Sequence, residues 1–143
     1  MKTKSFKGKL ADGAKTNIRL STKQGLIGYK IKKFEIIPVN PATLKLESIV
    51  KLFSIDPSTI DGTVNFEDPT LLAVAYLAIS DDGFNASPLI TIFDNTTINQ
   101  DIFVTHSEIK NSEPCNYYIE LEQVKLSVDE AAVATLKDMR GRE

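Results

Sequence analysis

Leu71-Leu72-Ala73-Val74-Ala75-Tyr76-Leu77-Ala78-Ile79 is apolar from end to end, and how this run folds decides the architecture. Two conformations compete for it. Asp68-Pro69 ahead of it has the chemistry of an N-cap followed by a first helical residue, and its alanines favour helix. Against that, the run has no polar face, it lies between segments of strand pattern, and Ser80-Asp81-Asp82-Gly83 closes it like a turn. The favoured reading is a central strand buried on both faces, with a buried helix as the alternative.

The flanking sequence supports the strand. In residues 17–22, Ile18 and Leu20 face one way and Arg19 and Ser21 the other, before Lys23-Gln24-Gly25 turns the chain. Tyr29 and Ile31 then share a face, but Phe34 and Ile36 fall out of phase with them. One inserted residue at Lys32-Lys33 repairs the phase, which predicts a β-bulge. Pro38 and Pro41 end that strand. Leu44, Leu46 and residues 49–55 form a second long apolar segment, stopped by Asp56-Pro57-Ser58. Residues 63–66 read as a short strand, and residues 89–93 as a β-branched strand ending at Asp94-Asn95. In residues 101–107, Ile102, Val104 and His106 share a face. Tyr117, Ile119 and Leu121 alternate with Tyr118, Glu120 and Glu122, and a phase slip before Val124 and Leu126 predicts a second bulge. Eight or nine such strands predict a mainly β fold, an antiparallel β-sandwich of jelly-roll-like or Ig-like type, as one domain over residues 1–143.

The C-terminus changes period. Ser127 with Glu130 three residues on is a capping box, and the spacing predicts a helix over 127–140. Its apolar stripe is Val128, Ala132, Leu136 and Met139, which can dock on the parent sheet or on a neighbouring chain.

With 143 residues, 42% of them hydrophobic and 25% charged, the chain is long enough to bury its own core. A single cysteine, Cys115, excludes an internal disulfide, and a single histidine, His106, leaves too few soft ligands for zinc. No apolar stretch approaches the roughly 18 residues needed to cross a bilayer. No apolar region follows the basic start, so folding in the cytoplasm, without secretion, is expected.

The net charge of −2 hides a division: ten Lys or Arg against Asp12 alone in residues 1–33, and twelve acids against Lys110 alone in residues 54–123. Copies of such a chain can set the basic end of one against the acidic belt of the next, which predicts a homo-oligomer. The N-terminal lysines alternate with apolar residues, as in Ser5-Phe6-Lys7-Gly8-Lys9-Leu10, which reads as a strand with one wet face and disfavours nucleic acid as a partner. Residues 1–10 are read as a flexible basic arm that orders on binding.

Candidate chemistry is sparse. His106 and Cys115 could pair as base and nucleophile across a hairpin, but no local signature supplies an oxyanion hole or an orienting group, so a small hydrolase is only a distant alternative. Asp81, Asp82 and Asn85 resemble a calcium loop without the spacing of an EF-hand. Asp94-Asn95-Thr96-Thr97 contains a glycosylation sequon whose simpler role is turn geometry. Glu120 and Glu122 share one strand face and so do not oppose each other across a cleft. Tyr29, Tyr76, Tyr117 and Tyr118 could stack on sugars or bases, with core or interface packing the better default. No nucleotide, dinucleotide, α/β-hydrolase or zinc-protease motif occurs, and no catalytic, cofactor or metal residue is assigned.

Several strings resemble small virion structural proteins of bacteriophages, particularly marine ones. They are Asn99-Gln100-Asp101-Ile102-Phe103-Val104-Thr105-His106, Asn116-Tyr117-Tyr118-Ile119-Glu120-Leu121-Glu122 and Ala134-Thr135-Leu136-Lys137-Asp138-Met139-Arg140, with Lys33-Phe34-Glu35-Ile36-Ile37-Pro38 and Thr70-Leu71-Leu72-Ala73-Val74-Ala75. The resemblance implies a β-rich decoration or cement protein of the capsid, made in the host cytoplasm, located in the virion and lacking enzymatic activity. Its partners would be copies of itself and the major capsid protein. The resemblance transfers no site residues. The alternative expectation is a ligand-binding sandwich for glycans or a host surface, using exposed tyrosines with Asp81, Asp82 and Asp94.

Overall fold

The computed structural model describes residues 2–22, 24–40, 42–79 and 89–141. They form β1 (Thr3–Leu10), β2 (Lys15–Ile18), β3 (Ile27–Pro38), β4 (Leu46–Phe53), β5 (Leu71–Ile79), β6 (Leu89–Phe93), β7 (Ile102–Glu108), β8 (Cys115–Lys125) and α1 (Val128–Gly141). The strands make two antiparallel sheets, β1-β8-β3 and β2-β7-β4-β5-β6, packed as a sandwich. Ile31, Phe34, Ile36, Ile119 and Leu121 of the smaller sheet share one core with Val50, Leu52, Ala75, Ile102 and Val104 of the larger. Each large side chain buried there contributes about 1.5–3 kcal/mol.

The run at 71–79 is a strand, and its lack of a polar face has a physical reason. On the inner face Ala73, Ala75 and Leu77 enter the main core, while on the outer face Leu71 and Val74 join Ile49, Phe53, Tyr76 and Phe103 in a second apolar cluster. The long loop between β4 and β5 lies over that cluster. Gly62 comes so close to Ile49 and Ile109 that an added Cβ would sit 2.9 Å from Ile109 Cδ1. Asp68 caps no helix. Its carboxylate accepts from Thr70 N at 2.9 Å and Thr70 Oγ1 at 2.7 Å, a local turn that launches β5. The same device overturns the strand expected at 63–66. Asp61 accepts from Thr63 N and Asn65 from Glu67 N, so successive side-chain turns take up the backbone that a ladder would need.

The bulge in β3 lies where the phase argument puts it. The register shifts between Ile31 and Lys33, Phe34 lies opposite Ile119, and Lys32 reaches Glu122 at 2.8 Å. The second expected bulge is absent from the β3–β8 pairing, which runs unbroken through Tyr29↔Gln123, Gly28↔Val124 and Ile27↔Lys125. Gln123 takes the position opposite Tyr29, so a polar residue at an inward site mimicked a slip.

Residues 3–10, expected as a flexible arm, are β1, paired along their whole length with β8. Their Lys-apolar alternation is that of an edge strand, so trimming residues 1–10 removes one of three strands and not a free tail. Gly8 in mid-strand makes room for the Tyr117 ring, and an added Cβ would lie 2.8 Å from Tyr117 Oη. Gly8→Val is therefore expected to cost about 1–3 kcal/mol of stability by displacing that ring. Urea denaturation checks this, and a wild-type midpoint would refute it.

The capping box of α1 forms as expected: Ser127 N donates to Glu130 Oε1 and Glu130 N to Ser127 Oγ, both at 3.2 Å. The helix docks through Ala131 and Ala134, which are buried. Asn99 fastens it, donating from Nδ2 toward Gly25 O, Ala131 O and Thr135 Oγ1 at 2.9–3.2 Å. The stripe Val128, Leu136 and Met139 faces solvent, at 74%, 53% and 55% exposure, so docking on the parent sheet is corrected. Asn99 and Thr135 select the face one step round the helix.

Candidate functional site

Folding brings His106 and Cys115 to one place, with Ser48 between them. His106 lies on β7, Ser48 on β4 and Cys115 at the start of β8, so the trio spans both sheets. His106 Nδ1 faces Leu10 O at 3.0 Å and Ala11 O at 3.2 Å. Two carbonyl oxygens there call for a proton on Nδ1, and Nε2 lies 3.3 Å from Ser48 Oγ. Burial pushes the Cys115 thiol up to about 11, against smaller opposing effects from Ser48 and Ile37 O. At neutral pH the sulfur is therefore a protonated thiol, a poor nucleophile. All three side chains are buried, with His106 at 0% exposure. In this arrangement the trio ties the β1–β2 connection and the two sheets together. Ser48, its central member, carried no sequence signal.

Two carboxylates that the sequence reading did not single out hold loops in place. Glu108, 4% exposed, accepts from Glu47 N at 2.7 Å, Lys110 N at 3.2 Å, Glu113 N at 3.4 Å and also Asn111 N. Ser112 at φ 53 curls the loop so that these N–H groups converge on the anion. Burial pushes the Glu108 carboxyl up, but hydrogen bonds from Glu47, Asn111, Lys110 and Glu113 outweigh it, and the net shift is downward. Asp101 does the same for the chain after β2. Burial opposes its charge, yet bonds from Ser21 N, Ser21 Oγ and Leu20 N, all at 2.9 Å, hold it below the usual aspartate range.

The charge poles do not occupy separate faces. On the outer side of the smaller sheet, Glu120 and Glu122 of β8 lie between basic edge strands, with Lys30 opposite Glu122 and Lys33 opposite Glu120. Lys32 holds Glu122 below its ordinary range, and Glu122 raises Lys32. Over the larger sheet, Lys15 pairs with Asp56, Lys51 with Asp61 at 3.4 Å and Lys110 with Glu47 at 3.7 Å. Lys51, buried beneath the loop, also donates to Thr63 O at 2.7 Å. Basic and acidic stretches far apart in sequence are thus neighbours in space, because β1 and β3 both pair with β8.

Of the four tyrosines, Tyr29 and Tyr117 belong to the core and Tyr76 packs on the second apolar cluster. Tyr118 lies on the outer face, donating to Glu120 Oε2 at 3.1 Å, and that carboxylate pushes its phenol up. Beside it, Lys7, Lys9, Glu35 and Ile37 line a shallow groove. Asp94 and Asn95 are exposed after β6, with Thr96 and Thr97 half-buried. Asp81, Asp82 and Asn85 lie outside the described residues. Among the described residues no helix is long and apolar enough to cross a membrane.

Fold and site together define a two-sheet antiparallel sandwich whose thiol and imidazole are sealed in its interior and which also exposes large apolar side chains. No protein-family model and no curated protein matches this chain.

Proposed function

We propose that the protein is a non-enzymatic virion structural module, present in many copies on or in a phage capsid and bound to its own kind and to the major capsid protein. The observation that carries this reading is the outward apolar stripe of α1, Val128, Leu136 and Met139, which stays more than half exposed among the described residues. A monomer gains nothing from exposing such a surface, whereas a subunit in a shell buries it. The resemblance of the sequence strings supplies the setting, and the sealed, protonated Cys115 supports a role without chemistry. Charge has the secondary role of orientation, since many opposite charges already meet within the chain.

Co-sedimentation with purified capsids tests the reading. Wild-type protein is expected in the pellet. Leu136→Glu with Met139→Glu is expected to stay in the supernatant with an unchanged melting temperature, because both sites are exposed. Wild-type protein left in the supernatant, and absent from particles by mass spectrometry, would refute the proposal.

A further inference from the structure

β6 is one of the two edges of the larger sheet, and among the described residues no strand pairs with its outer side. It is also uncharged and apolar on both faces: Leu89 and Ile90 are 51% exposed, Ile92 48% and Phe93 39%. Edge strands normally carry a lysine, a proline or a bulge that blocks pairing with another chain. β1, one edge of the other sheet, has its lysines, and residues 89–93 of β6 have none of these devices.

The strand is its own complement. Leu-Ile-Thr-Ile-Phe reads nearly the same in both directions about Thr91, so an antiparallel two-fold centred there sets Leu89 against Phe93, Ile90 against Ile92 and Thr91 against Thr91. Every cross-strand pair is then apolar or Thr–Thr, on both faces. The hydrogen-bond phase fits the same axis. Asp94 N donates to Leu72 O at 3.0 Å, and β5–β6 continues as Val74↔Ile92 and Tyr76↔Ile90 in the alternate positions. Residues 90 and 92 therefore direct their N–H and C=O toward β5, while residues 89, 91 and 93 direct theirs outward. Those are the three positions that a two-fold at Thr91 bonds to each other.

We propose that β6 is a self-association edge, pairing antiparallel with β6 of a second copy to join two five-stranded sheets into one of ten strands. The proposal rests on the assembly reading and deepens it by naming one contact. A heterologous partner has no need of a palindromic strand, whereas an isologous contact does. Four half-exposed side chains a side bury less than the roughly 1,200 Å² of a standard interface, so the pairing is concentration-dependent and not obligate.

Sedimentation velocity of the full chain over a concentration series tests it. Wild-type protein is expected to pass from monomer to dimer. Thr91→Pro removes an outward N–H and leaves the β5 ladder intact, and it is expected to weaken association about 30-fold with retained circular dichroism. Should that variant fail to fold, a second pair decides. Thr91→Lys and Thr91→Glu each place like charges across the axis and are expected to be monomeric, while their equimolar mixture recovers the dimer. A wild-type chain that stays monomeric throughout overturns the proposal, as do a folded Thr91→Pro that associates like wild type and a mixture that stays monomeric. A wild-type dimer that ignores capsids leaves this edge standing and removes the virion reading.

Discussion

His106→Ala is expected to lower the unfolding free energy by about 3–5 kcal/mol. Two costs add. The imidazole is wholly buried, so its removal leaves a cavity, and it is the shared donor for Leu10 O and Ala11 O as well as the hydrogen-bond partner of Ser48 Oγ. Cys115→Ala deletes only a small buried thiol and is expected to cost about 1–2 kcal/mol. Urea denaturation followed by circular dichroism measures both. A trio built for catalysis, with access and slack around the imidazole, would show a small loss at His106. A loss under about 1 kcal/mol there would refute the structural role.

Glu108→Gln is expected to cost about 2–4 kcal/mol at neutral pH, because the amide turns a donor toward N–H groups that now share an anion. The pH dependence has a definite sign. The folded carboxyl is held below its unfolded value, which is about 4.3, so its stabilisation is fully present above that pH. It is lost as pH falls through the folded value. The gap between wild type and Glu108→Gln should therefore be constant from neutrality to about pH 5 and narrow below about pH 4. Asp101, with the same sign of shift, leaves the variant some acid sensitivity of its own. A gap that widens on acidification would show that the carboxylate is not the stabilised species.

The exposed stripe of α1 and the bare edge of β6 extend the same contrast between interior and surface. Inside, among the described residues, His106 and Glu108 are hydrogen-bonded and Lys51 is paired with Asp61, while Asn99 Oδ1 and Thr105 Oγ1 lack a partner. Outside, among the described residues, large apolar side chains are 39–74% exposed on two separate elements.

Strand identity was legible where side-chain period and local breakers agreed. Ile18, Phe34, Ile36, Val104, Ile119 and Leu121 all occupy the core that their alternation predicts, and the bulge at Lys32 follows from phase alone. The capping box of Ser127 and Glu130 is equally local. Errors came where one pattern had two causes. Residues 63–66 alternate like a strand but are held by side-chain turns, and Gln123 at an inward position imitated a bulge. The alternation of β1 gave its strand character, while its lysines also read as a free arm because an edge strand and a solvated tail have similar compositions.

By itself the sequence determined the class of fold, the strand character of most segments and the start of the helix, because each depends on the spacing of neighbours along the chain. Tertiary structure alone decided that β8 lies between two basic strands, so that a charge division along the chain became a mixture in space. It also decided which face of α1 is buried, since that choice belongs to Asn99, 32 residues from Ala131. The convergence of His106, Ser48 and Cys115 has the same origin. Contacts between residues distant in sequence are set by sheet pairing and packing geometry, and no periodicity within a segment encodes them.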